Sequence, residues 1–216
     1  MTAPPEEFVP EEVRGKPAVG VVYCYVGPPE EGAEALKPLR EALTPVVEMV
    51  QPMPYAAIQQ MLDGGNPYGI REYFKIDWMG DLSDEAIDVV LEHAENLPAP
   101  FAQVIFAPMG GAVSRTDSRA MALNVPDAPW CYFCLTMWMD PTEDDRNVAW
   151  TRGFAEAMRQ YAIGTAAFPN FIEADEGIGR LRATYGDDKY ERLVELKTKW
   201  DPENVFRLNQ NIAPAA

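Results

Sequence analysis

Trp130-Cys131-Tyr132-Phe133-Cys134-Leu135-Thr136-Met137-Trp138 carries no charge, no Gly and no Pro. Aromatic and β-branched side chains suit a pleated surface, so the stretch reads as a buried strand. Upstream, residues 101–107 read as another strand. Gly110-Gly111-Ala112-Val113-Ser114-Arg115 reads as a turn entering a third, 113–122. No helical periodicity separates these runs, so they are expected to pair antiparallel. On one side of them, Ser83 is a good N-cap for a helix to about Asn96, with Ile87, Val90, Leu91 and Ala94 inward. On the other, Thr142 with Asp145 resembles a capping box. The helix it opens runs to Tyr161, with Val148, Phe154, Ala155 and Met158 available to a core. The expected fold class is α+β: a mainly antiparallel sheet with helices packed on one face, plus a C-terminal helical segment. The opposite sheet face then needs a cover, from another domain or a ligand.

The remaining chain fits around this centre. Residues 1–16 are rich in Pro and Glu and read as an extended lead-in. Residues 18–26, 46–50, 71–78 and 166–171 read as strands, and Cys24 as a small core residue. Helices are expected over 30–43, 54–62 and 176–185.

Bulk properties exclude several classes. At 216 residues and 47% hydrophobic, the chain can bury a real core. A net charge of -16 repels nucleic-acid phosphates and anionic membrane surfaces. No apolar run is long enough for a membrane span, and Met1-Thr2-Ala3-Pro4-Pro5-Glu6-Glu7 lacks the basic and apolar regions of a secretory signal. A cytoplasmic protein is expected. Three cysteines do not make a disulfide framework. Cys131 and Cys134 form a C-x-x-C, but inside a strand residues three apart point to opposite faces; neither a redox pair nor a metal site is expected. The one histidine, His93, lies mid-helix beside Glu92 and Glu95, as on a solvated surface. Paired acids such as Asp144/Asp145 and Asp187/Asp188 fall at helix starts, where the dipole favours them.

The tail carries the most specific wording. Asp187 and Asp188 start a helix; Tyr190, Leu193, Leu196 and Trp200 recur on one face; Pro202 stops it. Val205, Phe206, Leu208 and Ile212 then form an apolar plug among the amides Asn204, Asn209, Gln210 and Asn211. The run from Tyr185-Gly186 through Tyr190-Glu191-Arg192-Leu193 and Trp200-Asp201-Pro202 to Asn209-Gln210-Asn211-Ile212 resembles the C-terminal segment of the berberine-bridge-enzyme-like FAD-linked oxidases. The stretches Pro52-Met53-Pro54-Tyr55, Arg71-Glu72-Tyr73-Phe74-Lys75 and Trp150-Thr151-Arg152 also have counterparts there.

The resemblance implies a division into a substrate-binding domain, 17–172, and a berberine-like C-terminal segment, 173–216, with the family's N-terminal FAD-binding domain absent. It implies FAD as cofactor, a small-molecule substrate, and oxidation by hydride transfer to flavin. Phe168, Asn170 and Asn209 are the implied cofactor-binding residues, with Asn209 and Gln210 docking against a flavin domain. Tyr73, Lys75, Tyr132 and Phe171 are the implied substrate-binding residues; ordinary sheet packing is the alternative for Tyr73, Lys75 and Tyr132. Phe171 stands where relatives can carry a tyrosine base and has no titratable group, so no catalytic residue is assigned. The rival reading is a non-catalytic stand-alone binding or interaction module that keeps the fold without flavin chemistry. Either reading expects a flavin-binding partner domain or self-association.

Overall fold

A computed structural model describes residues 1–215. It divides into two compact units, Met1–Ile70 and a second beginning at Arg71.

The first unit has little regular structure. Helix α1, Pro29–Ala42, has Pro in its first turn, Glu30 and Glu31 at its positive end and Arg40 in its last turn. Helix α2 spans Tyr55–Gln59. The strands expected over 18–26 and 46–50 do not form among the described residues. Val19, Val21, Val22 and Val26 are exposed, and so is Cys24, which is therefore not a core residue. The reason is that strand propensity measures fit to a neighbouring strand, and beyond Ala18, which bonds Met1, no ladder forms along these runs among the described residues.

The second unit is the expected α+β fold. Strand β1 (Arg71–Met79), helix α3 (Asp84–Ala94), strand β2 (Gln103–Pro108), helix α4 (Ala112–Arg115) and strand β3 (Trp130–Trp138) come first. Helices α5 (Asp144–Met158), α6 (Gly177–Tyr185) and α7 (Asp187–Trp200) follow. The sheet is antiparallel throughout in the order β1-β3-β2. The charge-free stretch 130–138 is thus the central strand, in register Tyr73↔Thr136, Lys75↔Cys134 and Asp77↔Tyr132 with β1.

Alternation gives the sheet two faces. Met79, Tyr132 and Cys134 pack with Phe154 and Met158 of α5 and Ala86 of α3. On the other face, Ile76 packs with Ala167, Ile172, Leu181 and Tyr190. The cover for that second face therefore comes from the chain's own C-terminal segment. Cys131 and Cys134 are both fully buried, in clusters on opposite faces.

Four local expectations change. Residues 113–122 are not a strand. Gly111 takes φ +59, Ser114 and Thr116 hydroxyls bond back to Gly111 and Ala112 carbonyls, and Asp117 caps the Arg119 amide. These short-range side-chain bonds compete with a ladder and prevail. Residues 166–171 end in a 3₁₀ turn, Pro169–Phe171, because Pro169 has no N–H to give a neighbouring strand. Asp140, not Thr142, caps the turn leading to α5, accepting from the Thr142 amide at 2.8 Å. In α3, Ile87 and Leu91 are exposed, while Ala86, Val89 and Val90 pack inward.

His93 and the tail plug also differ from expectation. His93 is half-buried, its ring edge-on to Phe154 at 5.4 Å and Nδ1 at 2.8 Å from the Val89 carbonyl, rather than on a solvated surface. Of the plug residues, only Ile212 packs on the core; Val205, Phe206 and Leu208 are exposed.

Candidate functional site

β1 is an edge strand, and an edge strand offers unpaired backbone groups that proteins usually cover. Here residues 161–180 wrap that edge. The Ile163 amide donates to the Trp78 carbonyl at 2.7 Å. Glu173 accepts from the Phe74 amide at 3.2 Å, and the Arg180 guanidinium donates to the Ile76 carbonyl.

The wrap brings charges onto the α5 side of β1. Tyr73, Lys75 and Asp77 stand at alternate positions and so share one face. The Tyr73 hydroxyl donates to Asp175 at 2.8 Å and accepts from Arg152 Nε at 3.0 Å. Lys75 Nζ lies 3.3 Å from both Asp175 and Glu176. Arg180 pairs with Asp77 and Glu176, each at 2.9 Å, and Tyr132 donates to Asp77 at 2.8 Å. A cleft of about 820 Å³ opens beside this network, lined by Lys75, Asp77, Arg152, Arg159, Glu176 and Arg180 among others.

Burial and pairing pull these groups in different directions. Burial raises the Asp77 carboxyl above its ordinary value, although Arg180 and Tyr132 act the other way. Burial would also raise Asp175, but its bonds from Tyr73, Arg152 and Lys75 outweigh that and hold it at about 2. Burial alone would lower Lys75; its interaction with Tyr73 and the charges of Glu176 and Asp175 raise it instead. Burial pushes the Tyr132 hydroxyl far up, so it is a hydrogen-bond donor at any ordinary pH. Each of these side chains has a hydrogen-bond or ion-pair partner within the network, an arrangement suited to recognition of a polar ligand.

The residues expected from sequence fall into three places. Tyr73, Lys75 and Tyr132 share the network face, with Tyr132 fully buried beneath it. Phe168 and Phe171 lie on the opposite face. Phe168 sits 4.8 Å from Trp78, and Phe171 packs edge-on to Phe74 at 5.5 Å and Phe133 at 5.0 Å. Between them Asn170 is exposed on the 3₁₀ turn, with no hydrogen bond among the described residues. Asn209 lies apart in the tail, exposed and at φ +59, while Gln210 bonds the Ile172 carbonyl.

The exposed Asn170 amide stands beside half-buried Phe168 and can both donate and accept hydrogen bonds. Gly64-Gly65, the one double glycine in the first unit, sits in a 3₁₀ turn and offers no phosphate loop. Among the described residues no cluster of three or more His, Cys, Asp or Glu is placed to hold a metal ion. No described helix is long and apolar enough to cross a membrane.

Asp77, Arg152, Asp175, Glu176 and Arg180 are members that the sequence reading missed. A signal existed in β1: Tyr, Lys and Asp at every second position form a polar stripe on a face that a long amphipathic helix must also cover. The spacing of Glu176 and Arg180, four apart, is the second clue.

Residues 167–213 match the family described as "Berberine and berberine like". The chain is 32% identical over 213 residues to the uncharacterized FAD-linked oxidoreductase YgaK of Bacillus subtilis, covering 96% of this chain and 45% of that protein. Among solved structures, it resembles CrmK, a flavoenzyme of caerulomycin biosynthesis, at 26% identity and TM-score 0.67, covering 86% of this chain and 42% of CrmK. It also shares the fold of Physcomitrella patens BBE-like 1, with TM-score 0.72 at 19% identity over 89% of this chain and 44% of that one. The chain spans less than half the length of the relatives it matches.

Proposed function

We infer the function from one premise: the chain belongs to the berberine-bridge-enzyme-like family of FAD-linked oxidoreductases. It acts as the substrate-binding part, 17–172, and C-terminal segment, 173–216, of a flavin-dependent oxidation of a small molecule. The flavin-binding half comes from another polypeptide or another stretch of chain. The carrying observation is that the matched segment 167–213 packs against one sheet face and along the β1 edge. It holds Phe168 and Asn170 on one side of β1 and Asp175, Glu176 and Arg180 on the other.

In this reading Asn170 and Phe168 hold the rim of the isoalloxazine, and Asn209 helps the tail dock against the flavin domain. Tyr73 and Lys75 face the substrate from the charged network, and Tyr132 fixes Asp77 beneath it. Bound flavin supplies the hydride acceptor. Phe171 contributes packing and no proton transfer.

A second reading is favoured by that same phenylalanine: a binding module that keeps the fold and lacks flavin chemistry. Absorbance in the flavin bands separates the two. The chain is mixed with FAD, with and without a polypeptide supplying the family's flavin-binding half, and excess cofactor is removed. The proposal expects a stable complex that retains flavin, and weaker retention with Asn170→Ala. No complex and no retained flavin would favour the binding module.

A further inference from the structure

Three donors from two different elements converge on one carboxylate. The Tyr73 hydroxyl and Lys75 Nζ come from β1, Arg152 from α5, and all bond Asp175. Asp175 itself stands on the short turn before α6, and its side chain is 39% exposed, whereas Lys75 is 10% exposed. Tyr73 and Lys75 on the receiving side are therefore buried, Arg152 reaches in from the surface at 55% exposed, and the carboxylate they receive sits at the surface on a turn. Lys75 and Arg152 also line the adjoining cleft. A second anchor keeps the fixed side in place: Arg152 Nε bonds the Tyr73 oxygen at 3.0 Å, and Lys75 retains Glu176 at 3.3 Å when Asp175 leaves.

We propose that Tyr73, Lys75 and Arg152 form a carboxylate-binding site, and that Asp175 is its internal occupant, displaced when a small molecule bearing a carboxylate enters from the cleft. The exchange conserves charge. Lys75, Arg152 and Arg180 balance Asp77, Glu173 and Glu176, so either Asp175 or an incoming carboxylate adds the same single negative charge. A planar guanidinium, an ammonium and a phenol match the two oxygens of one carboxylate. The tethered Asp175 competes at high effective concentration, which weakens binding of any free carboxylate to the intact chain. The proposal deepens the proposed function by giving the substrate a carboxylate, and it rests on that reading only in placing Tyr73 and Lys75 towards ligand.

The test uses the full chain, labelled with ¹⁵N, titrated with sodium acetate and sodium benzoate at constant ionic strength near physiological, where the overall negative field is screened. Acetamide is the neutral control. Resonances of Arg152 Nε and the amides around Asp175 are followed. Asp175→Ala is expected to bind acetate about ten-fold or more tighter than the unaltered chain, with acetamide inert. Adding Arg152→Gln is expected to abolish the gain. Asp175→Asn, which keeps the side-chain shape, gives the same reading where the alanine variant does not fold. Equal affinity in the unaltered and Asp175 variants, or equal shifts from acetamide, would overturn the proposal. Because no flavin is present, these outcomes are independent of the flavin-retention result.

Discussion

Arg180→Met tests the idea that the C-terminal segment is clamped to the sheet edge by buried charge. Arg180 and Asp77 are 17% and 14% exposed, and Glu176 is 8% exposed. Methionine keeps much of the apolar stem and removes the bonds to the Ile76 carbonyl, Asp77 and Glu176. Removing one partner of a buried pair costs ~3–5 kcal/mol, mostly because the other charge is left buried and unpaired. The residual exposure here places the expected loss near the lower end, about 3 kcal/mol. Restoring neutrality with Asp77→Asn in the same chain should recover at least about 1 kcal/mol of it, and the Asp77→Asn single variant completes the cycle that gives the coupling of the pair. The pH dependence has a fixed sign. Burial already raises Asp77, and losing Arg180 raises it further. A carboxyl raised on folding stabilises fully below its unfolded value and loses that contribution as pH rises through the folded value. The single variant should therefore regain stability on acidification from neutrality towards that range. Urea unfolding read by tryptophan fluorescence, at several pH values, measures all three quantities. A loss within about 0.5 kcal/mol, or no recovery with Asp77→Asn, would refute the clamp.

Asp175→Asn should show the opposite pH pattern: with the native carboxyl held at about 2 against an ordinary 3.8, its contribution is present above that ordinary value and vanishes as pH falls through 2, so the two unfolding curves converge in acid. Phe154→Ala removes a fully buried ring 5.4 Å from both Tyr132 and His93 and should cost ~3–5 kcal/mol in denaturant unfolding; a loss under ~1 kcal/mol would mean α5 does not seal this face. With a thiol reagent, exposed Cys24 should react at once, while Cys131, pushed up to about 11 by burial, and Cys134, pushed higher still, react only after unfolding. Three rapid equivalents would contradict the buried strand.

The central strand was legible because its reading needed no partner. A charge-free aromatic run bounded by Pro129 and Asp140 cannot face water on both sides, and antiparallel pairing followed from the missing helices around it. Helix α7 was legible from its acidic start, but of its expected apolar face Leu196 and Trp200 are exposed, and Val194 packs on the core beside Tyr190. The run 18–26 has the same residue types as a strand, yet strand propensity cannot say whether a neighbour is available. Residues 113–122 and 166–171 failed for a different reason. Ser114, Thr116 and Asp117 bond locally, and Pro169 lacks a donor, so short-range chemistry outweighed the β-branched count. The charged network was half legible. Tyr73 and Lys75 came from the family resemblance, and the polar stripe of β1 supports them, but Asp175 lies about a hundred residues away along the chain. Only the wrap around the edge joins them.

That wrap also changes what the matched C-terminal segment is. Read from sequence, 173–216 is a helical segment ending in an apolar plug, with Asn209 and Gln210 docking against a flavin domain. In the structure, Ile172, Leu181 and Tyr190 share one core cluster with Ile76 of β1, and Gln210 returns to bond the Ile172 carbonyl. Thr184 holds the Ala167 amide at 2.9 Å, and Lys189 bonds the Ser118 and Leu123 carbonyls at 2.6 Å, pinning the long β2–β3 connection as well. Removing the segment would strip the second sheet face and the β1 edge together, exposing Ile76 and unpaired backbone at the same strand. The exposed part of the segment is the stretch holding Val205, Phe206 and Leu208, beyond the turn that Asp201 caps through the Val205 and Phe206 amides. The segment therefore leaves the core at Asp201-Pro202 and rejoins it at Gln210 and Ile212.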